Sequence, residues 1–260
     1  MTFELFSDIF TFRDNALRRL DPRVKVVVAL VAIFAVVSSQ GVLFPALVFS
    51  FALIGMLLVG LPAAFMLGRF LAPLGTVLIL FLLHAVLYGW TPLFSLPLFG
   101  QRVVIMQEGV LRGMHLACRV LGGFGIMVLL SSVTPSHQIF HALAYFKAPK
   151  GWLEVAMMMY RYIFVILESA ADAMAAQRVR LGYCGLKRSL NSLGVLSGVV
   201  IVKSLEQAQR THEAMLTRGY NGHTPFGPMP ALSPKDGWTL GLSLGTLIGL
   251  YLATEGWVFG

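Results

Sequence analysis

Cysteine is nearly absent: Cys118 and Cys184 are the two in 260 residues. One falls inside an apolar run and the other in a polar region, so the chain has neither a disulfide framework nor a paired-cysteine metal knuckle. Charge is also scarce, at 12% of residues, about half the share usual in a soluble domain. No GxxxxGK[ST] run occurs, so the backbone N–H cradle and lysine that hold nucleotide phosphates are missing. The chain is therefore not itself an ATPase. No HExxH pattern and no converging set of serine, cysteine or carboxylate announces an active site. Enzyme chemistry, as a polytopic membrane enzyme, is the weaker functional class.

Hydrophobic residues make up 57% of the chain, and mean hydropathy is +0.78. Five apolar runs stand out: 24–39, 42–60, 71–89, 109–133 and 238–258. They approach the roughly 20 residues that a helix rising about 1.5 Å per residue needs to cross the bilayer. The expected architecture is an all-α integral membrane protein with about five transmembrane helices and a cytoplasmic platform of amphipathic helices. Asp21-Pro22 ahead of the first run suits an N-cap followed by proline at the first helical position. The N-terminal stretch has no short apolar core followed by a cleavage site, so the first span is expected to be retained. Segments 60–70 and 90–107 are ambiguous between loop and re-entrant structure.

Three parts are expected. Residues 1–133 carry the tail and four spans, 134–236 a coupling region, and 237–260 the last span. Within the middle part, 135–147 reads as a short amphipathic helix, and 151–182 and 188–219 as two long ones. Five basic residues crowd the tail (Arg13, Arg18, Arg19, Arg23, Lys25) and eleven fall in 134–236, whereas 90–107 holds only Arg102. By the positive-inside rule both regions are cytoplasmic in a multi-pass protein of the inner membrane. The net charge of +8 thus reflects topology, and nucleic acid is not an expected partner.

The two long helices end alike, AQRVRLGYCG at 176–185 and HEAMLTRGYNGH at 212–223. Gly219, and by the same pattern Gly182, is expected to take the left-handed conformation that closes a helix, with arginine in the last turn favoured by the dipole. Ordinary capping would account for either ending alone. Their repetition points further, because a guanidinium is a rigid multi-donor fork suited to grooves on a partner. Superposing the two GYxG segments sets Arg180 about 100° away from the direction of Arg218, which keeps Arg178 in play.

Glu154, Arg161 and Glu168 recur every seven residues on one face of 151–182 and read as a structural ion pair holding helices together. LGGFG at 121–125 lies in an apolar run and reads as a close-packing helix surface. His137 and His141 are spaced for zinc but lack a third ligand. Like His84, His115 and Met157–Met159, they are assigned to packing or to an interfacial flank. Asp172 and Glu168, four apart on one helix, read as solvated partners of nearby Lys and Arg and not as an acid/base pair. No metal site and no cofactor is expected.

Five pieces together resemble a known family: LDPRVK at 20–25, EGVLRGMHLACR at 108–119, VTPSHQIFHAL at 133–143, MMYRYIFVILES at 158–169 and EQAQRTHEAMLTRGYNG at 206–222. They are similar to the transmembrane T component of energy-coupling-factor (ECF) transporters, of the CbiQ-like cobalt type. The resemblance implies two cytoplasmic coupling helices whose Ala-Arg-Gly-like ends dock into grooves of two ABC-type ATPase subunits. A separate membrane S component would bind the substrate. It carries the docking role to Arg218 and Gly219, and to Arg180 with Gly182; Arg178 is the alternative in the first motif. Thr217 stands where the family has alanine, and Leu181 separates Arg180 from Gly182. Cobalt uptake is the implied transport, with nickel or a vitamin as alternatives.

Overall fold

The computed structural model describes residues 20–98, 101–146, 148–222 and 234–255. Arg13, Arg18 and Arg19 of the basic tail lie outside the described residues. The first helix, α1 (Pro22–Ser38), opens as its sequence predicts: the Asp21 carboxylate accepts from the Arg23 N–H at 2.8 Å, and Pro22 fills the first turn. Then come α2 (Leu43–Val59) and α3 (Ala63–Leu87). The third helix begins well before residue 71, absorbs most of the ambiguous 60–70 segment and runs through Pro73. The other ambiguous segment forms an antiparallel hairpin of β1 (Pro92–Leu98) and β2 (Gln101–Met106). The remaining elements are α4 (Gln107–Val133), α5 (Ser136–Tyr145), α6 (Lys150–Val179), α7 (Leu186–Thr217) and α8 (Pro234–Glu255). Apart from that hairpin, the regular structure of the described residues is helical.

Among the described residues, four helices, α3, α4, α7 and α8, are long and apolar enough to cross a membrane. At 17 residues each, α1 and α2 reach only the lower end of the usual span length. By length and composition α7 thus qualifies as a span, although its sequence pattern assigns it to the platform. The reason is its apolar central stretch, with Leu193, Val195, Ile201 and Val202 exposed along it.

The chain forms two compact units, Met1–Ala142 with Pro230–Gly260, and Leu143–Met229. In the first, α4 packs against α1, α2 and α3. Glycine makes this approach possible. A Cβ on Gly109 would stand 2.2 Å from the His84 carbonyl oxygen, one on Gly122 3.0 Å from that of Pro45, and one on Gly125 3.2 Å from the Ala52 side chain. The LGGFG run is therefore a packing surface, as its setting predicts. Two apolar clusters flank it, one around Met56, Phe70 and Val128 and the other around Val36, Phe44 and Ile126. Edge-on rings pack within each, with Phe70 5.6 Å from both Phe49 and Phe124 in the first, and Phe44 5.2 Å from Tyr251 of α8 in the second.

A buried carboxylate closes the far end of this unit. Glu255 on α8 accepts from the N–H groups of Gln40 and Gly41 in the α1–α2 turn, at 2.7 and 3.2 Å. On the same turn, the Arg119 guanidinium of α4 donates to the Ser39 carbonyl. Three helices thus converge on three turn residues, and charge is tolerated there because each charged group is hydrogen-bonded.

The second unit is a helical hairpin. The Gln177 amide of α6 donates to the Ser192 carbonyl of α7 at 3.1 Å near the turn, and the hydroxyls of Tyr162 and Thr211 meet at 3.0 Å farther along. This pairing order makes the two helices antiparallel.

Candidate functional site

Both helix ends of the hairpin are Schellman caps. At the end of α7, Arg218 is the C-cap and Gly219 follows in the left-handed conformation at φ 81°. The Gly219 N–H donates to the Leu216 carbonyl and the Tyr220 N–H to that of Met215, each at 3.0 Å. At the end of α6, Arg180 is the C-cap. Leu181 is left-handed at φ 57°, its N–H donates to the Arg178 carbonyl at 3.0 Å, and the Gly182 N–H donates to that of Gln177 at 2.9 Å.

The expectation that Gly182 supplies the left-handed residue is therefore wrong. Leu181 is structurally equivalent to Gly219, and Gly182 to Tyr220. Glycine is needed at 182 for space: an added Cβ would lie 2.6 Å from the Ser192 hydroxyl and 3.0 Å from the Gln177 carbonyl oxygen. With the caps aligned, Arg180 and Arg218 hold the same position, and the rotation deduced from matching the GYxG letters disappears. Arg178 lies two residues before the first cap, exposed, its guanidinium 3.4 Å from the Met174 sulfur.

The first tip is braced by side chains that sequence patterns do not reveal. Tyr183 donates its hydroxyl to the Gln177 side-chain oxygen at 2.7 Å, and the Ser192 hydroxyl donates to the Gly182 carbonyl at 2.8 Å. Gln177 thus joins the helix end, the turn and α7. Around it the tip presents Arg180 with Val179, Leu181 and Leu186, all exposed. The second tip presents Arg218 beside exposed Leu216. Each is a cation set among apolar side chains on a fixed backbone, a composition suited to protein contact.

Because the helices are antiparallel, each C-terminus lies at an opposite end of the hairpin. The separation of the two arginine caps follows the length of α7, roughly 48 Å for its span at about 1.5 Å per residue.

The proposed ion pair does not form. Glu154 is buried, but Arg161 and Glu168 are exposed, and among the described residues no salt bridge joins the three. Seven residues along a helix is about 10 Å, which shares a face without allowing contact. Arg161 instead lies against the Tyr162 ring, 5.9 Å from its centroid. Among the described residues, no group of three His, Cys, Asp or Glu converges as a metal site would require.

The family model described as CbiQ, cobalt transport protein, matches residues 13–226, a range that holds both tips. The chain belongs to the CbiQ cobalt transport protein family. It is similar to an uncharacterised protein of Methanocaldococcus jannaschii, 30% identical over 209 residues covering 80% of this chain and 78% of that one. It is also similar to the cobalt transport protein CbiQ of Rhodobacter capsulatus, 26% identical over 160 residues, covering 56% of this chain and 66% of the relative. The counterpart of the same name in Salmonella typhimurium is 25% identical over 118 residues, covering 45% and 52%. Family membership and the candidate spans make this chain a cobalt-type membrane transport component. The CbiQ match ends before α8, so the buried Glu255 contact lies beyond it.

Proposed function

We propose that this chain is the transmembrane coupling subunit of an ECF-type importer for cobalt ions. It would pass motion from two ATPase subunits to a substrate-binding membrane subunit. The observation that carries this reading is the pair of equivalent arginine caps at opposite ends of one hairpin. One lever with two equivalent handles suits two motor subunits, and the separation of roughly 48 Å leaves room for a domain at each. Arg180 and Arg218 enter grooves on the ATPases, with Gly219 and Leu181 setting the close of each helix. Gly182 and the Gln177 brace keep the first handle rigid.

ATP-bound and ATP-free partners must hold the handles differently for hydrolysis to move the membrane half, since a ligand shifts an equilibrium only by differential contact. In this arrangement the hairpin lies on the cytoplasmic side of the inner membrane, as the basic tail and coupling region suggest. The exposed apolar residues of α7, including Leu190, Val195 and Leu205, would then meet partner subunits in place of lipid. Catalysis resides in the partner ATPases.

The test is ATP-dependent uptake of radioactive cobalt into vesicles carrying the assembled transporter. The reading requires uptake that needs this chain and falls at least tenfold in the Arg180→Glu, Arg218→Glu double variant, equivalent to about 1.4 kcal/mol of lost coupling. Uptake indifferent to that substitution would overturn it.

A further inference from the structure

The two ends of the α6–α7 hairpin carry different charge. At the first tip Arg178, Arg180, Lys187 and Arg188 follow one another closely, and all four are exposed. From 173 to 205 the chain holds these four with Lys203, and no Asp or Glu. Among the described residues none of the four makes a salt bridge. The second end, counting 150–161 of α6 with 206–222, holds four basic residues and three acidic ones. Two of these, Glu206 and Arg210, already pair at 3.9 Å. The net charge is therefore four at one end and one at the other.

Helix formation accounts for half of the first cluster. Arg178 and Arg180 sit at the end of α6, where the negative end of the dipole favours a cation. Lys187 and Arg188 lie in the first turn of α7, where the positive end disfavours one. That turn has no acidic residue and no side-chain cap to offset them. Two cations thus stand against local preference and beside two others, on a turn fixed by the Gln177 and Ser192 hydrogen bonds. Nothing within the hairpin answers their charge.

We propose, resting on the docking role above, that the first tip seats in an ATPase groove rimmed by carboxylates and captures its motor by electrostatic attraction. The second tip seats through Arg218 and apolar contact. A fluid headgroup layer has no need of a fixed turn. Cations on a braced backbone, three of them guanidinium forks, match carboxylates set in a folded partner. The tips act independently, because roughly 48 Å is about six Debye lengths at physiological salt. Each motor therefore feels the charge of its own tip alone. Loading is ordered, first tip before second, even where the two motors are copies of one chain, since the same rim meets unequal charge at the two ends.

The test follows association of the co-purifying ATPase chains with the full chain in nanodiscs of phosphatidylcholine, whose headgroups carry no net charge. Arg218→Glu leaves the first tip intact, and Arg180→Glu with Arg188→Glu leaves the second. Between about 0.03 and about 0.3 M salt, association at the first tip should slow roughly tenfold, and at the second by less than about twofold. In the Arg218→Glu chain, Lys187→Gln with Arg188→Gln should slow low-salt association several-fold, flatten its salt dependence and leave dissociation nearly unchanged. Lys187→Arg with Arg188→Lys, which keeps the charge, should match the unsubstituted tip. Equal salt dependence at the two tips, or a rate indifferent to the glutamine substitutions, would overturn unequal capture and leave docking intact. No association at either tip at any salt concentration would overturn the docking role itself, and this proposal with it.

Discussion

Arg180 and Arg218 occupy the same cap position at the two ends of one antiparallel hairpin. Their equivalence rests on backbone hydrogen bonds, since the neighbouring residues differ: leucine follows the first and glycine the second. The cap geometry therefore sets Arg180, not Arg178, in the position equivalent to Arg218, and under the proposed docking role Arg178 is a flanking charge. Arg178→Glu should lower cobalt uptake less than Arg180→Glu does, measured side by side at equal protein levels. The reverse order would return the docking role to Arg178.

Leu181 bears a conformational cost that Gly219 avoids, because a side chain in the left-handed region is disfavoured by about 1–2 kcal/mol. Leu181→Gly should therefore stabilise the hairpin by up to about 1 kcal/mol, after the added freedom of the unfolded chain is deducted. Gly219→Leu should destabilise it by up to about 1 kcal/mol, since the same deduction applies in reverse. Limited proteolysis at the two tips reads both, and a loss of protection in Leu181→Gly would contradict the cap assignment.

Gly182 and Ser192 form a steric pair. Gly182→Ala should loosen the first tip, and adding Ser192→Ala should recover part of the loss by removing the hydroxyl that stands 2.6 Å from the new Cβ. The recovery is partial because the Gln177 carbonyl remains close. Hydrogen exchange across 177–192 measures it, and strictly additive effects would show that the two sites do not touch.

Much of this was legible in the sequence. Apolar runs located α1, α2, α4 and α8, and polar-ended amphipathic patterns located α6 and α7, because burial in lipid or against a neighbour imposes composition over whole turns. The start of α3 was obscured by Arg69, which a helix tolerates but which interrupts an apolar run. Cap register was not legible, since two GYxG strings align by letter while their helices end one residue apart. The braces of Gln177, Tyr183 and Ser192 left no signal, because ordinary polar residues acquire that role only when two helices meet. The same holds for Glu255 and Gln40, 215 residues apart.

Glu255 is the polar anchor of α8 on the α1–α2 turn. Glu255→Ala should leave the Gln40 and Gly41 N–H groups without their acceptor and cost about 1–3 kcal/mol. Glu255→Gln, which keeps a carbonyl oxygen, should cost less. Thermal unfolding in detergent ranks the variants, and equal midpoints for wild type and Glu255→Ala would show that the contact contributes nothing.

Glycine spacing on α4 gives an internal control. Gly109→Ala should disrupt α3–α4 packing by about 1–3 kcal/mol, since its Cβ would meet the His84 carbonyl. At Gly123 an added Cβ meets nothing within 4 Å, so Gly123→Ala should be neutral or slightly stabilising. Matching losses of detergent stability at the two positions would contradict the packing described for α4.

The central claim is that two arginine caps grip two motors. The most direct measurement is the stoichiometry of proteins that accompany the tagged full chain when it is purified in mild detergent from its own host. The account predicts two ATPase chains and one small membrane protein per copy. In the Arg180→Glu, Arg218→Glu double variant the ATPases should be lost while the membrane protein stays. ATPase chains retained in full by the double variant, or absent from the wild type in every mild detergent, would contradict it.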